Sequence, residues 1–237
     1  PADRIAFIDD DEVPTRTWLS RLMEKMDQTK AAAVFGAVQA DYPAQCPGWM
    51  VRGGMLDKSI PDRPLDWSST RTSSTLVDGV WIYQRNFRFD ERFGRSGAED
   101  TDMFRRMARH GALLHGAPAS IVSEDVQRNQ LRVGWFLHRN WRGGINYERL
   151  IRGDPAYPPA LLRFGKRALV GLGGLAFGLP ALLVGRPDRC IRALNTLARA
   201  GGGISGWLRP HALEDSAGYE SEGCTATPAQ ATSRENS

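Results

Sequence analysis

The chain has 237 residues, 41% of them apolar and 24% charged, with a formal net charge of +4. That is the composition of a globular protein long enough to bury a real core, with room for one large domain or a domain and an appendage. Its three cysteines, Cys46, Cys190 and Cys224, are far apart and odd in number, which excludes a disulfide framework and a cysteine metal site.

The net charge conceals an asymmetry. Between residues 128 and 210, 14 Lys/Arg stand against 3 Asp/Glu, a balance of +11. Such a local excess points to anionic partners: a phosphate-bearing ligand, an anionic membrane surface or a nucleic acid. The arginines there alternate with a long apolar run instead of aromatic stacking positions, so nucleic acid is not expected.

In chain order, residues 4–9 (RIAFID) read as a short buried strand that runs into four consecutive acids, Asp9, Asp10, Asp11 and Glu12. No basic segment followed by an apolar one precedes this strand, so no signal peptide is expected. So abrupt a start for an α/β domain raises the expectation of a missing preceding segment. Trp18, Leu19, Leu22, Met23 and Met26 repeat at helical spacing after Pro14, and residues 31–38 read as a second strand, giving the strand–helix–strand order of an α/β fold. Residues 41–72, rich in Pro, Gly, Asp and Ser, form a long excursion around a short element at 49–56. Residues 75–83 read as a strand and 87–96 as a loop. A helix is expected at 99–110, with Met103, Met107 and Ala108 inward and Asp102–Arg106 as a surface i,i+4 pair. Short strands are expected at 112–115 and 120–124, then a helix over 133–151 interrupted at Gly143-Gly144. Residues 168–185 carry no charge between basic flanks and read as a membrane-associated or re-entrant segment, or else as a buried helix or hairpin. The segment 191–198 forms a second apolar stripe beside Arg189, Arg192 and Arg199. The small, polar and acidic residues from 212 onward suggest a disordered tail.

An apolar strand ending in clustered aspartates fits three chemistries. A phosphate-loop ATPase would need a G-x-x-x-x-G-K-[ST] segment, which this sequence lacks. A phosphatase of the D-x-D-x-[TV] type is matched literally by residues 9–13, but none of Lys25, Lys30, Lys58 and Lys166 lies in a convincing strand-to-helix context for it. In a nucleotide-sugar transferase, a D-x-D at a strand end holds a divalent cation that grips the donor diphosphate and offsets the repulsion among the acids. A second acidic pair, Glu99-Asp100, stands some 90 residues on, at the start of a helix and after a strand and a loop. That ordered pair favours the transferase.

The segments "IAFIDDDEVPTRTWLSRLM", "FDERFGRSGAEDTDMFRRMARHG" and "FLHRNWRGGINYERL" resemble the family 2 glycosyltransferases, inverting enzymes with a GT-A fold, and look closest to the bacterial branch that includes succinoglycan-type glucosyltransferases. The resemblance covers about residues 3–152. It implies a mixed α/β sheet flanked by helices over 1–152, a basic and apolar membrane-associated helical region at 153–211, and a disordered tail at 212–237. Asp11 and Asp9 match the metal-binding D-x-D for Mg²⁺ or Mn²⁺. Asp9 and Asp10, with Arg139 and Arg142, fall where relatives hold the donor diphosphate. Asp100 matches the general base, and Glu99 beside it would orient the site. The Arg139–Gly144 segment departs from the Gln-x-x-Arg-Trp of processive synthases, which favours transfer of a single sugar. The implied partners are a nucleotide-sugar donor and a glycan or lipid-diphosphate-linked acceptor, at the cytoplasmic face of a bacterial membrane. Family members carry about a hundred residues before the D-x-D, including the strands that hold the nucleotide base, so this chain is expected to be a fragment. The rival expectation is a non-catalytic membrane-surface module.

Overall fold

The computed structural model describes residues 2–93 and 97–209. The tail at 212–237, Cys224 and part of the 87–96 loop lie outside these residues. Five strands form one curled mixed sheet: β1 (Arg4–Phe7), β2 (Glu12–Pro14), β3 (Ala33–Asp41), β4 (Thr75–Asp78) and β5 (Leu114–Asp125), in the order β1-β4-β3-β5-β2. β3 pairs parallel with β5, and the other neighbours are antiparallel.

β3 is central because its sequence, AVFGAVQAD, suits burial on both faces. The period-two alternation of a strand divides its side chains between two cores. Val34 and Val38 meet Trp18, Leu22 and Met26 of α1 (Trp18–Thr29) on one face. Ala33 and Phe35 face Met103, Phe104 and Met107 of α3 (Glu99–Arg109) on the other, with the Phe35 and Phe104 rings edge-on at 4.8 Å. Leu19 and Met23, assigned to the helical stripe by spacing alone, are exposed at the edge of that core.

Several expectations are corrected by tertiary structure. β1 is an edge strand of intermediate exposure, not a core strand. The strand expected at 75–83 ends at Asp78, whose Oδ1 accepts a hydrogen bond from the Val80 amide at 2.9 Å and starts one turn of π-helix at Val80–Gln84. The two short strands expected around 112–124 are one strand, β5, with an irregularity where its pairing with β3 shifts between Gly36 and Ala37. That bulge is packed closely: a Cβ on Gly36 would lie 2.1 Å from Ser74 Oγ and 2.7 Å from the Ser120 carbonyl. Asp102 of α3 is buried with Arg106 at 2.7 Å, so the pair is not a surface decoration.

A short helix, α2 (Gly48–Arg52), lies in the 41–72 excursion. Three long helices follow among the described residues: α4 (Val133–Ile151), α5 (Ala160–Gly178) and α6 (Pro187–Leu208). α4 runs uninterrupted through Gly143-Gly144, because Gly144 lets α6 approach. A Cβ there would sit 2.2 Å from the Arg199 carbonyl, and one on Gly202 would sit 1.9 Å from that of Trp141. Close helix crossing offsets the roughly 1 kcal/mol that each glycine costs relative to alanine inside a helix. The uncharged stretch at 168–185 forms the end of α5 and a 3₁₀ segment at Pro180–Val184 before α6 turns back along α5. Among the described residues no helix is long and apolar enough to cross a membrane.

Candidate active site

The link between β1 and β2 carries the first acidic cluster. β1 and β2 occupy opposite edges of the sheet, four strand spacings apart, or about 19 Å if the sheet were flat. The five Cα steps from Phe7 to Glu12 span at most about 18 Å even when fully stretched. The link is not stretched, since the Glu12 amide turns back to the Asp9 carbonyl at 3.1 Å. Only the curl of the sheet closes this distance. Asp9, Asp10 and Asp11 therefore project from a turn across its open end, and they are exposed.

Glu12 is different. It is buried in β2, opposite Glu124 in the ladder, and its Oε2 accepts from the Asp9 amide at 3.3 Å. Its Oε1 is buried without a hydrogen-bond partner. Burial pushes the Glu12 carboxyl above the usual range, against the hydrogen bond from the Asp9 amide, which lowers it more than the Asp9 charge raises it. The Asp9 carboxyl is raised too, first by desolvation, then by the nearby charges of Asp11, Glu124 and Asp100, with Lys58 opposing. Its electrostatic neighbours are informative in themselves: the acids of the first cluster and Asp100 share one region.

Asp100 reaches that region from the start of α3. Gly97 and Ala98 both have positive φ, 75° and 79°. For Ala98 this left-handed backbone is strained by about 1 kcal/mol or more. The turn brings Asp100 under the residue 71–75 segment, where its Oδ1 accepts from the Thr101 amide at 2.6 Å and its Oδ2 from the Thr72 amide at 3.3 Å. One oxygen of Glu99, Oε2, is buried without a hydrogen bond.

Three further groups, not assigned a role from the sequence, complete the region. Lys58 is held by a backbone bridge to Val38 in the second half of β3, and its ammonium pairs with Glu124. Arg71 donates to the Lys58 carbonyl at 2.9 Å. Burial lowers its guanidinium, while Glu12, Asp100 and Glu124 raise it and Arg139 opposes them. No periodicity or motif marks Lys58 or Arg71, which sit in the turn-rich excursion. Glu124 could have been suspected from its place at the end of the apolar run of β5.

The predicted basic residues of α4 separate. Arg139 stacks over Trp135 at 5.1 Å and lines a cleft of about 530 Å³ that reaches Lys58 and Glu124. Arg142 does not line that cleft. It lies one helical turn before Asn146, whose amide is 3.8 Å from where a Cβ on Gly97 would be, so it belongs to the face turned toward the start of α3.

Among the described residues, no group of three or more His, Cys, Asp or Glu side chains is arranged to hold a metal ion. The residues still fit a hard dication of the Mg²⁺ kind, which usually takes one or two carboxylates and completes its shell with water and substrate phosphates. Asp9 and Asp11 are exposed, adjacent and mutually repelling, as such a partial site requires.

No family model matches the chain. It is 35% identical to the succinoglycan biosynthesis protein ExoM of Rhizobium meliloti (strain 1021) over 156 residues, which cover 63% of this chain and 48% of that protein. It is 28% identical to the pre-mycofactocin glycosyltransferase of Mycobacterium tuberculosis (strain CDC 1551 / Oshkosh) over 207 residues, covering 81% of this chain and 42% of that protein. These homologues point to a bacterial family 2 glycosyltransferase. The chain spans about half the length of the curated relatives it matches. Its curled mixed sheet with flanking helices is compatible with a GT-A-like fold.

Proposed function

We propose that this protein transfers a sugar from a nucleotide-diphosphate sugar to a glycan or lipid-diphosphate-linked acceptor during bacterial polysaccharide or cell-envelope synthesis. The observation that carries this reading is that Phe7, at the end of β1 just before the acidic link, pairs with Thr75 while Thr72 of the same segment donates to Asp100, so that the charges of Asp11 and Asp100 both act on Asp9. The names of the relatives support it.

In the proposed reaction Asp100 accepts the proton of the acceptor hydroxyl as its oxygen attacks the anomeric carbon from the face opposite the diphosphate, so that the centre inverts. The Thr72 and Thr101 amides hold the Asp100 carboxylate in one orientation for this. Glu99 orients the acceptor beside it, and Asp10 supports the donor-binding turn. Asp11 and Asp9 would hold Mg²⁺ or Mn²⁺, which when bound supplies positive charge against the leaving diphosphate. Arg139 adds fixed positive charge on the same side, whereas Arg142, turned toward the start of α3, stands on the side of the base. The phosphatase alternative expects its acids at the end of a core strand with a free lysine nearby. β1 is an antiparallel edge strand, and Lys58 is engaged by Glu124.

The membrane association also stands as a proposal, at the cytoplasmic face and in surface form. Leu161 and Phe177 of α5 are each 84% exposed and Leu183 beyond it 90%, an apolar array flanked by Lys166 and Arg186. Apolar side chains with basic neighbours suit the interface of an anionic bilayer.

The deciding experiment is Asp100→Asn. Donor binding, measured by calorimetry with Mn²⁺, should remain while sugar transfer falls by about 10²–10⁴-fold, the usual contribution of a general base. Near-normal transfer by this variant would remove Asp100 from the role of base. A chain that neither transfers nor hydrolyses any nucleotide sugar would favour a non-catalytic surface module.

A further inference from the structure

The cleft beside the acids is built from one face of each of two helices. α6 contributes Arg192, Asn195, Thr196 and Arg199, spaced as successive neighbours on a single face, and α4 contributes Arg139 and Asn140. Arg167 of α5 closes one side, and residues 55–58 close another. Both acids that line it are engaged: Glu124 pairs with Lys58, and an Asp57 carboxylate oxygen accepts from the Ala40 amide at 3.0 Å. Among the described residues, none of Arg139, Arg167, Arg192 and Arg199 forms an ion pair with a carboxylate at contact distance, although the charge of Arg192 acts on the Asp188 carboxyl four residues before it. Arg139 and Arg167 rest on the rings of Trp135 and Tyr147, and Arg192 donates to the Gly53 carbonyl. Arg167 also keeps a buried Nη1 with no hydrogen bond.

Four guanidiniums around one space repel each other. Arg199 remains open to solvent but is walled by protein, and that desolvation, with the charge of Arg167, holds its guanidinium below the ordinary value. A buried or half-walled cation without a counter-charge is costly, and a planar fork of N–H donors matches phosphate oxygens. A volume of about 530 Å³ admits a diphosphate with part of what it is attached to.

We propose that this cleft is an anion site, which binds a phosphate or diphosphate group through Arg167, Arg192 and Arg199, with Arg139 at the end nearest the acids. The inference deepens the transferase reading, and rests on it only for the identity of the ligand: the group belongs either to the acceptor or to the donor. The C-terminal helices then do more than cover the sheet, since they supply most of this site.

Pyrophosphate titrated calorimetrically into the whole chain tests the cleft directly. Arg192→Gln combined with Arg199→Gln should weaken pyrophosphate binding at least about tenfold, the order expected for losing charge-assisted bonds, while Arg21→Gln, at a surface arginine of α1 outside the cleft, leaves it unchanged. If the double variant fails to fold by circular dichroism, Thr196→Glu, which sets a carboxylate on the same wall, should produce the same loss. Equal affinity in wild type and in a folded variant, or no binding by the wild type, overturns the proposal. Competition by farnesyl diphosphate but not by uridine diphosphate assigns the site to a lipid-linked acceptor, and the reverse assigns it to the donor. Intact pyrophosphate binding in a protein without transferase activity would refute the transferase reading and leave the cleft standing.

Discussion

Three consecutive glycines in α6 make a sharp test of the helix packing. At Gly201 nothing lies within 4 Å of an added Cβ, whereas at Gly202 it would meet the Trp141 carbonyl oxygen at 1.9 Å and the carbonyl carbon at 2.7 Å. Ordinary contact begins near 3.4 Å, so Gly202→Ala forces α4 and α6 apart by about 1.5 Å. A gap of that size forfeits most of the dispersion attraction along the crossing, since even about 1 Å removes up to half of each contact. Overpacking against backbone costs about 3 kcal/mol, and the better helix propensity of alanine returns about 1. The net loss of about 2 kcal/mol lowers Tm by about 4–8 °C for a chain of this length. Gly201→Ala should instead raise Tm by about 2–4 °C. Thermal melts followed by circular dichroism at 222 nm read both. If Gly202→Ala is as stabilising as Gly201→Ala, the α4–α6 crossing described above is wrong. Because α4 and α6 form two walls of the arginine cleft, the same variant should also weaken pyrophosphate binding.

The remaining predictions concern charge and surface. The folded-state pKa of Glu12 lies above its ordinary value of 4.5, so its ionisation opposes folding at neutral pH and ceases to do so as pH falls below that value. Glu12→Gln should therefore raise Tm at pH 7.5, with the gain shrinking toward pH 4; a gain that grows on acidification would contradict the assignment. Glu148 is fully buried and paired with Arg163 across the α4–α5 contact. Glu148→Ala should cost about 3–5 kcal/mol in urea denaturation because it strands the guanidinium, and a loss below about 1 would show that the pair is dispensable. Leu169→Asp with Phe177→Asp should abolish co-sedimentation with vesicles containing phosphatidylglycerol without lowering Tm, and unchanged sedimentation would remove α5 from the membrane contact.

Local pattern carried further for the elements than for their partners. The run in β3, the apolar spacing in α1 and α3, and the two acidic motifs could be read directly, because each depends on neighbours in sequence. Buried and exposed members of a stripe could not be told apart: Leu22 is fully buried and Leu19 is not, although both fit the same helical period. Asp102–Arg106 fits the spacing of a surface pair equally well whether or not protein covers it. Lys58 and Arg71 acquire their places only because residues 41–72 fold back onto the second half of β3.

By itself the sequence determined the α/β character, the acidic clusters and the basic C-terminal third, since composition, periodicity and short motifs are properties of adjacent residues. It also supplied the resemblance from which the roles of Asp9, Asp11 and Asp100 were expected. Tertiary structure alone decided that β1 lies at an edge, that the sheet curls enough for a short acidic link to join its two edges, and that the charges of Glu12, Asp100 and Glu124 act on Arg71. It also decided which glycines are contacts and which are open, and that arginines scattered over 61 positions, from Arg139 to Arg199, face one cleft. Those outcomes depend on how distant segments share volume and charge, and no local pattern records that.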